Sequence, residues 1–129
     1  MKSVLVDSSV WITFFKDRDA HPDLERLIEA NQVCTNNLIL AELVPFLKVK
    51  NQTEIIESLV VLPNIPLTIH WDSIIHLQIQ NLTNGINRVG IPDLIIVDQV
   101  VTSGLILYSE DRHFTLMQRH IRFEMLQTT

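Results

Sequence analysis

Two short apolar runs constrain this chain more than any other feature. Residues 3–7 (SVLVD) and 105–109 (LILYS) are too short for helices, carry no polar alternation, and stand at opposite ends of a stretch dominated by helical patterns. Strands that read as continuous apolar runs are buried on both faces, and strands separated by helices pair in parallel. The pattern therefore predicts an α/β fold: a three-layer α/β/α arrangement around a central, mostly parallel sheet. In such sheets function gathers beyond the carboxyl ends of the strands, near the point where strand order reverses. Both runs end there in acids, Asp7 after SVLV and Glu110–Asp111 after LILYS.

The rest of the pattern is consistent with this frame. Ser8 or Ser9 can cap a helix to about Lys16, and Pro22 opens a helix over 22–30. A short strand is predicted at 33–35. Asn36 or Asn37 then caps a helix to about Lys48, strained by Pro45 in its interior. Asn51 with Glu54 resembles a capping box for a helix to Leu62. Residues 65–69 read as a strand, 72–82 as a helix, 92–103 as a helix stopped by Gly104, and 122–126 as a weak strand. Residues 83–92 (TNGINRVGIP) hold two of the three glycines and read as a long surface loop.

Composition narrows the classes. A chain of 129 residues, 47% hydrophobic, suits one packed domain over 1–129 and excludes a disordered chain. The lone Cys34 excludes a disulfide framework and a Cys-rich metal site. The five histidines show no HExxH or i,i+4 pair, and no Gly-rich phosphate loop occurs. MKSVLVDSSVW does not resemble a signal peptide, and no apolar run approaches the roughly 20 residues of a bilayer span. A soluble, cytoplasmic protein without membrane contact is expected. The net charge of −5 speaks, on charge alone, against a nucleic-acid partner.

Four acids each have an ordinary explanation when taken singly, and it is their joint placement that points to function. Asp7 precedes a helix that Ser8 or Ser9 already caps. Glu42 is the one charged residue in LILAELVPFL, whose pattern predicts a helix buried all round with its acid at a rim or paired inside. Asp93 opens the apolar helix PDLIIVDQVV, where the helix dipole also favours an acid. Asp111 follows a core strand. Asp98, five residues beyond Asp93, lies about 140° around the helix and cannot face the same spot. It is left to pair with a basic group or to meet an interface. Carboxylates converging in one cleft repel one another, and a hard divalent cation such as Mg²⁺ or Mn²⁺ relieves that repulsion and suits phosphodiester hydrolysis.

At this point the sequence resembles a PIN-domain ribonuclease of the VapC toxin type. VLVDSSVWI is similar to that family's opening strand and first acid, and NLILAEL to the helix carrying its second. IPDLIIVDQ is similar to the helix starting with its third, and GLILYSEDRHF to the strand and turn with its fourth. The resemblance implies Asp7, Glu42, Asp93 and Asp111 as the catalytic, metal-holding quartet around Mg²⁺ or Mn²⁺, with Ser9 as the hydroxyl beside the first acid. Glu110 competes with Asp111 for the fourth place. It further implies endoribonuclease activity on structured RNA such as tRNA or rRNA, a homodimer, and a cognate antitoxin. Ile96-Val97-Asp98 departs from the small residues usual after the third acid. Arg112, Lys16 and Arg88 are candidates for RNA phosphate, as are Arg18 and Arg119.

Two other readings compete. One is a PIN-like domain that binds without catalysis, which the intact quartet opposes. The other is a receiver-like phosphoacceptor module, opposed by the lack of an acid beside Asp7 and of any Lys after Lys50.

Overall fold

In the computed structural model, which describes residues 2–127, the two apolar runs lie side by side. The chain runs β1 (Val4–Val6), α1 (Ser8–Lys16), a 3-10 turn (Arg18–Ala20), α2 (Pro22–Glu29), β2 (Val33–Cys34), α3 (Asn37–Val49) and α4 (Thr53–Val60). It continues through α5 (Trp71–Thr83), α6 (Ile91–Ser103), β3 (Ile106–Tyr108), α7 (Arg112–Met117) and β4 (Glu124–Met125). The strands form a parallel sheet in the order β2-β1-β3-β4, covered by helices in an α/β/α arrangement. Val4 pairs with Val33 on one side and Ile106 on the other. After β2 the chain crosses back over β1 to β3, so strand order reverses between β1 and β3. Ligands bind at that reversal in open α/β sheets.

Val4, Leu5, Val6 and Leu107 have no solvent exposure, and the buried apolar side chains of the described residues form one cluster. Each such burial contributes about 1.5–3 kcal/mol before chain entropy is counted. Helix α6 runs deepest and buries Leu94, Ile96, Val97 and Val100. Gly104 ends it with φ 62°, and Leu105 donates back to the Val100 carbonyl at 3.0 Å. Among the described residues no helix is long and apolar enough to cross a membrane.

Three expectations need correction. Helix α3 is not buried all round: it buries Ile39, Leu43 and Leu47 and leaves Glu42, Pro45 and Phe46 exposed. Asn51 is not the cap of α4, because its φ of 57° makes it the left-handed residue closing α3. Its N–H donates to the Lys48 carbonyl, and that of Gln52 to the Leu47 carbonyl. Residues 65–69 form no strand. Pro63 and Pro66 cannot donate to a ladder, and only the bridge between Thr35 and Asn64 forms. The carbonyls of Ile65 and Pro66 accept instead from Gln99 Nε2, at 3.1 and 3.3 Å. The buried Gln99 side chain in turn accepts from Asn36 Nδ2 at 2.7 Å, while Asn36 Oδ1 caps α3. Helix α7 and the 3-10 turn lie outside the predicted elements, being too short to show a period.

Candidate active site

Asp7 ends β1 and precedes α1 in extended conformation, yet its carboxylate caps nothing. Its backbone N–H donates to the Tyr108 carbonyl at 2.9 Å, which carries the β1–β3 pairing one residue further. The side chain is 6% exposed, and Oδ2 accepts from Ser9 Oγ at 3.0 Å and Ser109 Oγ at 2.9 Å. Each serine oxygen accepts a backbone N–H in turn, Ser9 from Glu110 at 3.1 Å and Ser109 from Asp111 at 3.0 Å. The two hydroxyls thus lock the end of β1 to the turn after β3.

That turn sends its two acids in different directions. Glu110 accepts from Thr13 Oγ1 at 2.9 Å and is paired with His21 Nε2. Since a carboxylate only accepts, His21 Nε2 carries a proton, and in the neutral ring Nδ1 accepts from the Tyr108 hydroxyl at 2.8 Å. Asp111 caps α7 by accepting the His113 N–H at 2.9 Å.

Asp93 enters from the first turn of α6 and Glu42 from α3. Burial first, then the nearby charges of Asp111 and Asp7, push the Asp93 carboxyl up to about 6, against a smaller lowering by His113. Partial desolvation of the Glu42 carboxyl, then Asp7 and Asp93, raise it as well, although the residue as a whole is exposed. Asp7, Glu42, Asp93 and Asp111 therefore share one electrostatic site, and among the described residues no Lys or Arg pairs with any of them. One ligand atom each of Asp93, Asp111 and His113 lies within 4.8 Å of the others. An oxygen-rich donor set with mutual repulsion and no Lys or Arg partner fits a hard divalent cation.

Other predicted residues fall elsewhere. Asp98 is buried away from this cluster and accepts from His70 Nδ1 at 2.8 Å, which supplies the partner its sequence context lacked. Arg112 is exposed next to Asp111, and Arg88 is exposed in the loop before α6 with φ 65°. Lys16 ends α1, about 13 Å of helical rise from Asp7. Arg18 lies 3.7 Å from Glu25 and over the Phe14 ring, and Arg119 is exposed. Sequence reasoning missed Ser109 and His113. Both sit in SEDRHF, where a hydroxyl two before Asp111 and an imidazole two after it were the available signal.

A family model for the PIN domain matches residues 4–119. No curated protein sequence matches the chain. Among solved structures, the chain is similar to one in a DNA-bound VapBC from Salmonella typhimurium, with TM-score 0.76, 16% identity, and 98% of each chain covered. It is also similar to one in VapBC2 from Rickettsia felis bound to a promoter DNA fragment, with TM-score 0.75, 17% identity, and 95% and 96% covered. The Mycobacterium tuberculosis VapC20, a Sarcin-Ricin loop cleaving toxin, matches with TM-score 0.60, 17% identity, and 88% and 94% covered.

Proposed function

This chain belongs to the PIN domain family, and from that premise we propose that it is a divalent-metal-dependent endoribonuclease, the toxin of a toxin–antitoxin pair. The observation that carries the reading is the convergence of Asp7, Glu42, Asp93 and Asp111 on the β1–β3 reversal with no Lys or Arg paired to them among the described residues. Asp7 and Asp93 are the principal holders of Mg²⁺ or Mn²⁺, and Glu42 and Asp111 complete the pocket. When bound, the ion supplies an activated water and offsets charge on the phosphate. Ser9 and Ser109 fix the Asp7 carboxylate. Glu42, exposed at the mouth with raised proton affinity, orients the incoming water and takes its proton. Arg112 meets RNA phosphate beside Asp111, and Lys16 and Arg88 extend that contact. Structured RNA such as tRNA or rRNA is the proposed substrate, in the cytoplasm.

Two surfaces support the proposed partners. Trp71, Ile75, Ile79 and Leu82 form an exposed apolar stripe along α5, suited to a second copy of the chain. Trp11, Phe14, Phe15, Ile55, Leu59 and Leu62 line a cavity of about 300 Å³ that suits an apolar segment of the antitoxin. The VapBC origin of two similar structures favours such a partner.

The test is cleavage mapping on total RNA with Mg²⁺ or Mn²⁺. Cutting should fall at least about a hundredfold in Asp7→Asn and Asp93→Asn while both variants keep the wild-type circular dichroism. Full activity in either variant would refute the site. A chain that binds no Mn²⁺ by calorimetry would instead be a binding domain without catalysis. The receiver-like alternative loses its premise, since that fold orders five strands 2-1-3-4-5 and this chain belongs to another family.

A further inference from the structure

The nitrogen among the acids has no role in the reading above. We propose that His113 is a third arm of the metal centre, acting with Asp93 and Asp111, and that it biases the site toward Mn²⁺ and later transition ions over Mg²⁺. This rests on the reading that the cleft holds a divalent ion.

Three features carry it. One ligand atom each of Asp93, Asp111 and His113 lies within 4.8 Å of the others, although Asp93 comes from α6 and the other two from the start of α7. His113 Nδ1 stands 3.4 Å from Asp111 Oδ1. That is too long for a charged hydrogen bond, which closes to about 2.7–2.9 Å. It is near the roughly 3 Å edge between neighbouring ligands of a six-coordinate ion with bonds of about 2.1 Å. The same Oδ1 is already committed to the His113 backbone N–H at 2.9 Å, so the ring has no need to donate to it. That bond holds the Asp111 carboxylate beside the ring nitrogen.

Its siblings differ. His21 is engaged by Glu110 and Tyr108, His70 by Asp98 and His120 by Asn81, while His76 is exposed on α5 with no metal-holding group of acids around it among the described residues. The His113 side chain is 32% exposed, so an ion can reach its ring. Imidazole suits the transition ions, whereas Mg²⁺ prefers oxygen, and affinity at a nitrogen-containing site rises from Mn²⁺ through Co²⁺. A purely carboxylate pocket discriminates less between these ions and Mg²⁺.

The experiment uses the intact chain loaded with Mn²⁺. Pulsed electron paramagnetic resonance should detect a directly bound histidine nitrogen, changed by ¹⁵N-histidine labelling and absent in His113→Gln. Calorimetry with Co²⁺ and Mg²⁺ should show the affinity ratio falling about tenfold in the variant. Bound Mn²⁺ without nitrogen coupling, or coupling that persists in His113→Gln, overturns the proposal and leaves the carboxylate site standing. Failure of Mn²⁺ to bind at all overturns the metal centre itself and this inference with it.

Discussion

Asp7 holds the position from which an acid ordinarily caps a helix, and its carboxylate declines that role in favour of two serine hydroxyls. The surplus of caps in DSSV was a legible sign that Asp7 was free for something else. Ser109 was not legible as its partner, because the bond spans 102 residues and depends on β1 pairing with β3. Removing one donor from a buried carboxylate costs about 1–3 kcal/mol, so Ser109→Ala should lower the free energy of unfolding by that amount in urea. Asp93 is the opposite case, an acid the metal-free fold penalises. With its carboxyl at about 6, the folded chain keeps a proton there that the unfolded chain sheds near pH 4. Stability from this group is therefore lost as pH rises from about 4 to about 6. Allowing for solvent at a half-buried site, the loss is about 2 kcal/mol. Without metal, Asp93→Asn should exceed wild type by about that margin at pH 7 and match it near pH 3.5. Urea unfolding at the two pH values checks the sign, and equal stability at pH 7 would refute the electrostatic account.

The existence of α1 to α6 was readable from sequence pattern, but helix ends were not, because this chain closes its helices with few glycines. Asn31 at φ 55° ends α2 and Asn51 at φ 57° ends α3, each the left-handed residue of a paired-carbonyl closure. Asparagine is also a favoured N-cap, so Asn51 three residues before Glu54 reads equally well as the opening of α4. The two roles predict opposite signs. A capping asparagine replaced by glycine loses its side-chain bond, whereas a left-handed one sheds Cβ strain. Asn51→Gly should therefore raise stability by about 0.5–1 kcal/mol, read as a higher thermal midpoint. A lowered midpoint would restore the capping role. The strand expected at 65–69 failed for a different reason. Its apolar residues suggest a strand, but Pro66, the preceding Pro63 and the remote Gln99 decide where those carbonyls bond.

At the scale of the whole molecule, a parallel sheet with acids at its carboxyl edge was legible from two runs of five residues, while the order β2-β1-β3-β4 was not, since pairing joins segments distant in sequence. That order turns separate acids into one site, and it changes the meaning of a net charge of −5. A uniformly acidic surface repels RNA at every point. In the proposed site four acids of the fifteen share one cleft, where a bound divalent ion would offset about half of their charge. RNA affinity should then depend on divalent ions more than on bulk charge. Fluorescence anisotropy with a labelled RNA hairpin, recorded in the first seconds before product accumulates, should show at least about tenfold tighter binding with Mn²⁺ than with chelator at equal ionic strength. Asp7→Asn should lose most of that gain, although removing an acid raises the net charge toward zero. Should binding instead improve in Asp7→Asn without metal and ignore Mn²⁺, simple repulsion by the acids would account for the cleft, and its role in engaging phosphate through an ion would fall.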